Sequence, residues 1–156
     1  MQPVVRVSME DIKAFAEWRS KRDNAKYRLP TEEEWEYAAR NGGEFNLYPW
    51  GNSWIDGSAA MLQPSLRDVG SFPSGNNKWG VQDLIGNAWE WTGSEIKEYP
   101  KSNFVIKKGK TPEFVIRGGG FRSDPNGDKP VTATMRNWKD AAIEDGFLGF
   151  RLVKDK

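Results

Sequence analysis

The chain has 156 residues, with 23 Lys and Arg against 22 Asp and Glu and a formal charge of +1. That length makes one domain with room for a core, and that balance offers no electrostatic footprint for nucleic acid or an anionic membrane. There is no Cys and no His, which excludes disulfides, zinc-thiolate sites, thiol nucleophiles and imidazole proton shuttles.

The start, Met1-Gln2-Pro3-Val4-Val5-Arg6, lacks the apolar block of a signal peptide. No apolar run nears the ~20 residues of a membrane span, and the compartment stays open. Ser8 with Asp11 forms an acidic variant of the capping box. Met9, Ile12, Phe15, Ala16 and Arg19 then recur at helical spacing, predicting a helix over 8–20. Thr31 and Glu34 form a second capping box behind Pro30, and Trp35, Ala38 and Ala39 supply an apolar stripe that Gly42 and Gly43 close. Glu32, Glu33 and Glu34 suit the positive end of the helix dipole and read as a helix start, not as a catalytic pair.

From 44 to 80 the chain carries Pro49, Gly51, Gly57, Pro64, Gly70, Pro73, Gly75 and Gly80, too much punctuation for a helix. Short strands are predicted at 89–92, 104–107, 114–117, 132–135 and 149–153, separated by polar turns such as Pro125-Asn126-Gly127-Asp128. Lys107-Lys108-Gly109-Lys110 reads as a solvated hairpin tip. Gly118-Gly119-Gly120 lacks the Lys-Ser/Thr of a phosphate loop and reads as close backbone packing. The order is two N-terminal helices, long ordered loops and a small antiparallel sheet: a single α+β domain over 1–156. Eight Trp, sixteen Gly and nine Pro suit loops pinned by aromatic plugs.

Five words carry a resemblance. They are Tyr27-Arg28-Leu29-Pro30-Thr31-Glu32-Glu33-Glu34-Trp35-Glu36-Tyr37-Ala38-Ala39-Arg40 with Tyr48-Pro49-Trp50-Gly51-Asn52, then Val69-Gly70-Ser71-Phe72-Pro73, then Trp79-Gly80-Val81-Gln82-Asp83-Leu84-Ile85-Gly86-Asn87-Ala88-Trp89-Glu90-Trp91, then Arg117-Gly118-Gly119-Gly120-Phe121, and last Gly149-Phe150-Arg151-Leu152-Val153. In this order and spacing they resemble the formylglycine-generating enzyme family, the sulfatase-modifying-factor domain, a variant of the C-type lectin fold. The resemblance implies that fold. It also implies a domain N-terminally shorter than typical, whose 149–153 strand either pairs with 4–7 or belongs to a trimmed form.

Family oxidases that make formylglycine hold copper with two cysteines placed after the Gly-Gly-Ser segment. Counted back ungapped from Arg136, those positions fall on Ser123 and Asp128. Neither residue binds Cu(I), which needs soft thiolates, and the histidines of the family's iron-dependent sulfoxide synthases are absent. Both chemistries are excluded. The resemblance further implies one structural calcium held by the Asp83 and Glu90 carboxylates and the Gly86 and Ala88 carbonyls, hard oxygens that suit the ion. The competing reading has Asp83 capping a turn and Glu90 paired with an arginine. The family's other calcium site meets Met61, which offers no oxygen.

The segment 121–148 surrounds one aromatic with polar groups. It reads either as a recognition surface or as a solvated loop with one buried Trp. In the family and in retroelement variable proteins of this fold, the same stretch carries the reaction centre or the ligand contacts. The candidate contacts are therefore Arg122, Ser123, Asp124, Asn126, Asp128, Asn137, Trp138, Lys139 and Asp140. The expectation is a non-catalytic binding domain for a protein, small molecule or glycan, with a diversity-generating-retroelement variable protein as one form. The alternatives are an enzyme of cysteine-independent chemistry, with Asp128 or Glu144 beside Arg136 as general base, and a remnant with no ligand of its own.

Overall fold

Two capping boxes start the two helices of the computed structural model, which describes residues 1–107 and 109–156. In α1, Met9–Asp23, the Ser8 hydroxyl accepts from the Asp11 N–H while the Asp11 carboxylate accepts from the Ser8 N–H. The helix buries Met9, Ile12 and Ala16 and runs past the expected end to Asn24, which caps it in the left-handed region with φ 47°. In α2, Glu32–Ala39, Thr31 and Glu34 exchange the same two bonds. Of the basic tip, Lys108 lies outside the described residues.

Glu34 has a second task. Arg28 donates to both of its oxygens at 2.6 and 2.7 Å, and this fork, with the Thr31 N–H, holds the Glu34 carboxyl down at about 2. A carboxyl depressed by folding adds stability above its unfolded value and loses it as pH falls toward the folded one. The pair is half exposed and screened, so about 1 kcal/mol is its ceiling. Glu34→Gln, which keeps the cap, is expected to be less stable in urea at pH 7 by up to about that amount. The gap should close between pH 4.5 and pH 2; a gap that stays constant across that window would refute the charge effect.

Six strands follow the helical signals: β1 Tyr27–Arg28, β2 Trp89–Glu95, β3 Glu113–Arg117, β4 Arg136–Asp140, β5 Leu148–Phe150 and β6 Val153–Lys154. The main sheet has the order β4-β3-β2-β5, and β1 pairs with β6 as a separate antiparallel ribbon. β2 and β5 run parallel, so the sheet is mixed and not purely antiparallel. Val5 forms a single antiparallel bridge to Gly149, so the 4–7 segment does reach this strand, at one point.

Two predicted strands are corrected. Residues 104–107 adopt no strand. Residues 132–135 are irregular because Val131 and Ala133 are buried in the core, and the Ala133 and Met135 carbonyls accept from Arg117. The strand begins one residue later, at Arg136. The predicted 149–153 strand is broken at Arg151 and Leu152, between β5 and β6.

The core divides around the sheet. One cluster packs Trp35 and Ala39 of α2 on Leu84, Ile85, Val131 and Ala133. A second packs Met9 and Ile12 of α1 on Trp91, Phe114, Ile116 and Leu148. Trp35 and Trp91 are fully buried, and each ties its indole N–H to an acceptor, Glu90 and the Val7 carbonyl respectively.

Candidate functional site

After Arg117-Gly118-Gly119-Gly120, backbone bonds lock the chain at Phe121 and Ser123. The Phe121 N–H donates to the Asn87 carbonyl at 2.7 Å, and the Phe121 and Ser123 carbonyls accept from Gln63 and Leu62 at 2.8 and 3.1 Å. Ser123 Oγ accepts from the Gly120 N–H at 3.0 Å, so this side chain is a clamp and is not turned outward. Asp124 closes the next turn by accepting from the Asn126 N–H at 2.8 Å. From this frame Arg122, Asp124, Asn126 and Asp128 are exposed, with the Arg122 guanidinium over the Phe121 ring.

The other four candidates lie elsewhere, beyond the buried stretch of Val131 and Ala133. Asn137, Trp138, Lys139 and Asp140 belong to β4, the edge strand, where successive side chains take opposite faces. Trp138 sits opposite Val115 and packs on the cluster of Ile96, Ile106 and Val115. It is a half-buried plug and not the exposed anchor expected of a recognition surface. Lys139 pairs with Asp145 at 3.3 Å, and Asp140 accepts from Thr111 and from the Ala142 N–H. The nine candidates therefore form two groups, a loop and an edge strand, not one patch.

The general base imagined beside Arg136 has no counterpart. Arg136 donates to Glu32 at 2.7 Å and to the Lys97 carbonyl at 2.9 Å, and lies over the Tyr99 ring. Asp128 and Glu144 are both exposed, one in the loop and one in the turn after β4.

The structure adds a neighbour the sequence did not single out. Leu62 is 63% exposed and takes φ 52°, a conformation that costs a bulky residue. Its N–H is the one bonded to Ser123, so its side chain stands beside the 121–128 loop. Nothing in Met61-Leu62-Gln63-Pro64 signals this; it follows from a long-range bond.

The four calcium candidates surround one turn. Asp83 and Glu90 both face Arg151, and with Ala88 they line one pocket. The Glu90 oxygens accept from Arg151 Nε at 2.6 Å and from Trp35 at 2.7 Å, and Arg151 Nη2 closes the fork. Asp83 accepts from the Gly70 N–H at 2.7 Å. Burial would lower the Arg151 pKa, but the Glu90 carboxylate beside it, helped by Asp83, lifts it above its ordinary value. The donors are hard oxygens of the kind calcium takes. Only two are carboxylates, and among the described residues no group of three or more His, Cys, Asp or Glu is placed to hold a metal. An ion here would complete its shell with carbonyls and water, and would compete with Arg151 for Glu90.

Residues 1–156 match the sulfatase-modifying factor enzyme 1-like domain, and the chain belongs to that family. It is 34% identical over 162 residues to inactive C-alpha-formylglycine-generating enzyme 2 of Bos taurus, covering 96% of this chain and 49% of the relative. It is 40% identical over 180 residues to the formylglycine-generating enzyme of Mycobacterium tuberculosis, covering 98% of this chain and 57% of the relative. The chain thus spans about half the length of the curated relatives it matches. Its fold is also that of Treponema denticola variable protein 1, with a TM-score of 0.80, 20% identity, and coverage of 97% of this chain and 70% of the other.

Proposed function

We propose that this domain is a non-catalytic recognition module whose contact surface is the loop bearing Arg122, Asp124, Asn126 and Asp128, with Leu62 beside it. One observation carries this reading: exposed polar side chains flank a backbone that bonds to Asn87, Leu62 and Gln63 fix at Phe121 and Ser123, and that the Asp124 turn continues. A rigid frame lowers the ordering cost of binding, and the exposed Leu62 adds apolar area beside the polar groups. Ser123 and Asp128 in place of copper-binding cysteines favour binding over oxidation. That one relative carries the name of an inactive enzyme, and that a variable protein shares the fold, is compatible with this reading. The ligand class is a protein surface, with a small molecule or glycan as the lesser forms. If the protein is a retroelement variable protein, its gene should lie near a reverse transcriptase, with an imperfect repeat of the segment coding for 115–151.

The test is capture from the source lysate, with partners identified by mass spectrometry. The bait is wild type beside Arg122→Glu/Asp128→Lys and beside Leu62→Asp. The charge-reversed variant is expected to keep its stability within about 0.5 kcal/mol, as surface changes do, and to lose the partner. A partner held equally by all three proteins, or no specific partner, overturns the proposal.

Calcium enters as a structural ion under the turn 83–90. At 100-fold its dissociation constant it should add about 2.7 kcal/mol, read as a melting temperature higher in calcium than in EDTA. An identical melting temperature in both removes calcium from the proposal and leaves the loop surface standing.

A further inference from the structure

A second cleft lies on the α2 side of the sheet, apart from both the loop and the Glu90 turn. It measures about 300 Å³, the lower end of the range for small-ligand sites. Three aromatic rings line it, Tyr37, Phe45 and Tyr99. All three are substantially exposed, at 61%, 67% and 49%. Trp79 stacks on Tyr37 at 6.0 Å with the rings within 18° of parallel.

This arrangement is built, not incidental. Gly42 has φ 66°, which favours glycine, and a Cβ there would stand 2.9 Å from the Tyr37 ring and 3.2 Å from Trp79, so a side chain would push both rings aside. Asn41 and Asn77, both buried, hold the backbone around them. Asn41 bonds the Pro49 carbonyl and the Lys78 N–H, and Asn77 bonds the Ala38 carbonyl and the N–H groups of Trp79 and Val81. Phe45 is disfavoured twice. It takes φ 55°, a conformation that costs a residue with a large side chain, and it shows two-thirds of its surface to water. The Arg40 guanidinium lies over its ring at 5.2 Å.

The charges decide what such rings would hold. Beneath them Glu32 and Glu36 are committed to Arg117, Arg136 and Arg40. The Nη atoms of these arginines are bonded within the fold, whereas their Nε atoms have no hydrogen-bond partner and are buried away from solvent. The unpartnered Nε atoms are shut off from the open cleft, so none of them is presented to an anion that enters it. What remains is the ring surface that Arg136 over Tyr99 at 4.2 Å and Arg40 over Phe45 at 5.2 Å leave open, together with Glu33, which is exposed and whose side chain, among the described residues, makes no hydrogen bond or ion pair. Aromatic faces beside a free carboxylate attract a poorly hydrated cation.

We propose that this cleft binds a small organic cation, an alkylated or quaternary ammonium group, with Tyr37, Phe45 and Tyr99 as its walls and Glu33 as its counter-charge. Choline and tetramethylammonium are the probes, followed by ligand-observed NMR on the whole domain. The neutral carbon isostere of choline serves as the control. Wild type should bind both cations saturably and the isostere about tenfold more weakly. Phe45→Gly should lose at least that tenfold while its melting temperature holds or rises, because glycine relieves the positive φ. Glu33→Gln should weaken both cations and leave the isostere unchanged. Absence of saturable binding by wild type, equal binding of the isostere, or unchanged binding by Phe45→Gly each overturns the proposal. None of these results touches the 121–128 surface, so the two readings fail separately.

Discussion

Glu32→Ala is expected to destabilise the domain by about 3–5 kcal/mol, the cost of breaking a buried ion network from one side. Glu32 is 6% exposed, and its oxygens accept from Arg117 at 3.0 Å, Arg136 at 2.7 Å and Tyr99 at 3.2 Å. Arg117 is fully buried on β3, and Arg136 faces it across the strand pair. Without Glu32, the two guanidiniums keep one carboxylate between them, Glu36, which Arg40 already shares. The buried Arg117 and the largely buried Arg136 would then be left underpaired. A urea midpoint measures the loss. Removing Arg136 as well should restore part of it, so Glu32→Ala/Arg136→Met is expected to be more stable than the sum of the single changes. Strict additivity would show that the pair is not coupled.

Glu32 and Glu34 show how far a sequence can be read. The capping bonds of Glu34 lie within three residues of it, and that role is visible from Thr31-Glu32-Glu33-Glu34 alone. Glu32 has its partners on β3 and β4, with Arg136 lying 104 residues away, so no local pattern announces it. Helix starts were legible for the first reason. Strand partners, the parallel pairing of β2 with β5 and the break at Arg151 were not, since each depends on what the rest of the chain brings alongside. Trp138 makes the same point at the site. In sequence it is a lone aromatic among polar residues, as a contact residue would be. In the fold its partner Val115 and the loop residues Ile96 and Ile106 turn it inward. The segment 121–148 is marked by the family words on either side, but its division into a loop and an edge strand is not. Leu62, joined to it by one backbone bond, carried no signal.

Gly75→Ala is expected to cost about 3 kcal/mol, the upper part of the usual range for overpacking. Gly75 ends the short 3-10 turn Pro73–Gly75, where the chain crosses the segment of Gly57 and Ser58. A Cβ at Gly75 would lie 1.8 Å from the Ser58 carbonyl oxygen and 2.9 Å from its carbon. Backbone cannot swing aside as a long side chain can, and Ser58 is itself 2% exposed and tied to the turn through Ser74. The turn or the 57–58 segment has to move, and with it the Ser74–Gly57 bond. Gly43→Ala is the control. A Cβ there meets nothing within 4 Å and the residue does not need a positive φ, so the change should be neutral or stabilising by up to about 1 kcal/mol. Equal melting temperatures for the two variants would show that the crossing at Ser58 is looser than this packing implies. A large loss at Gly75 alone would establish it as a fixed point, one that holds the long loop region 44–80 against the core without any helix or strand to do so.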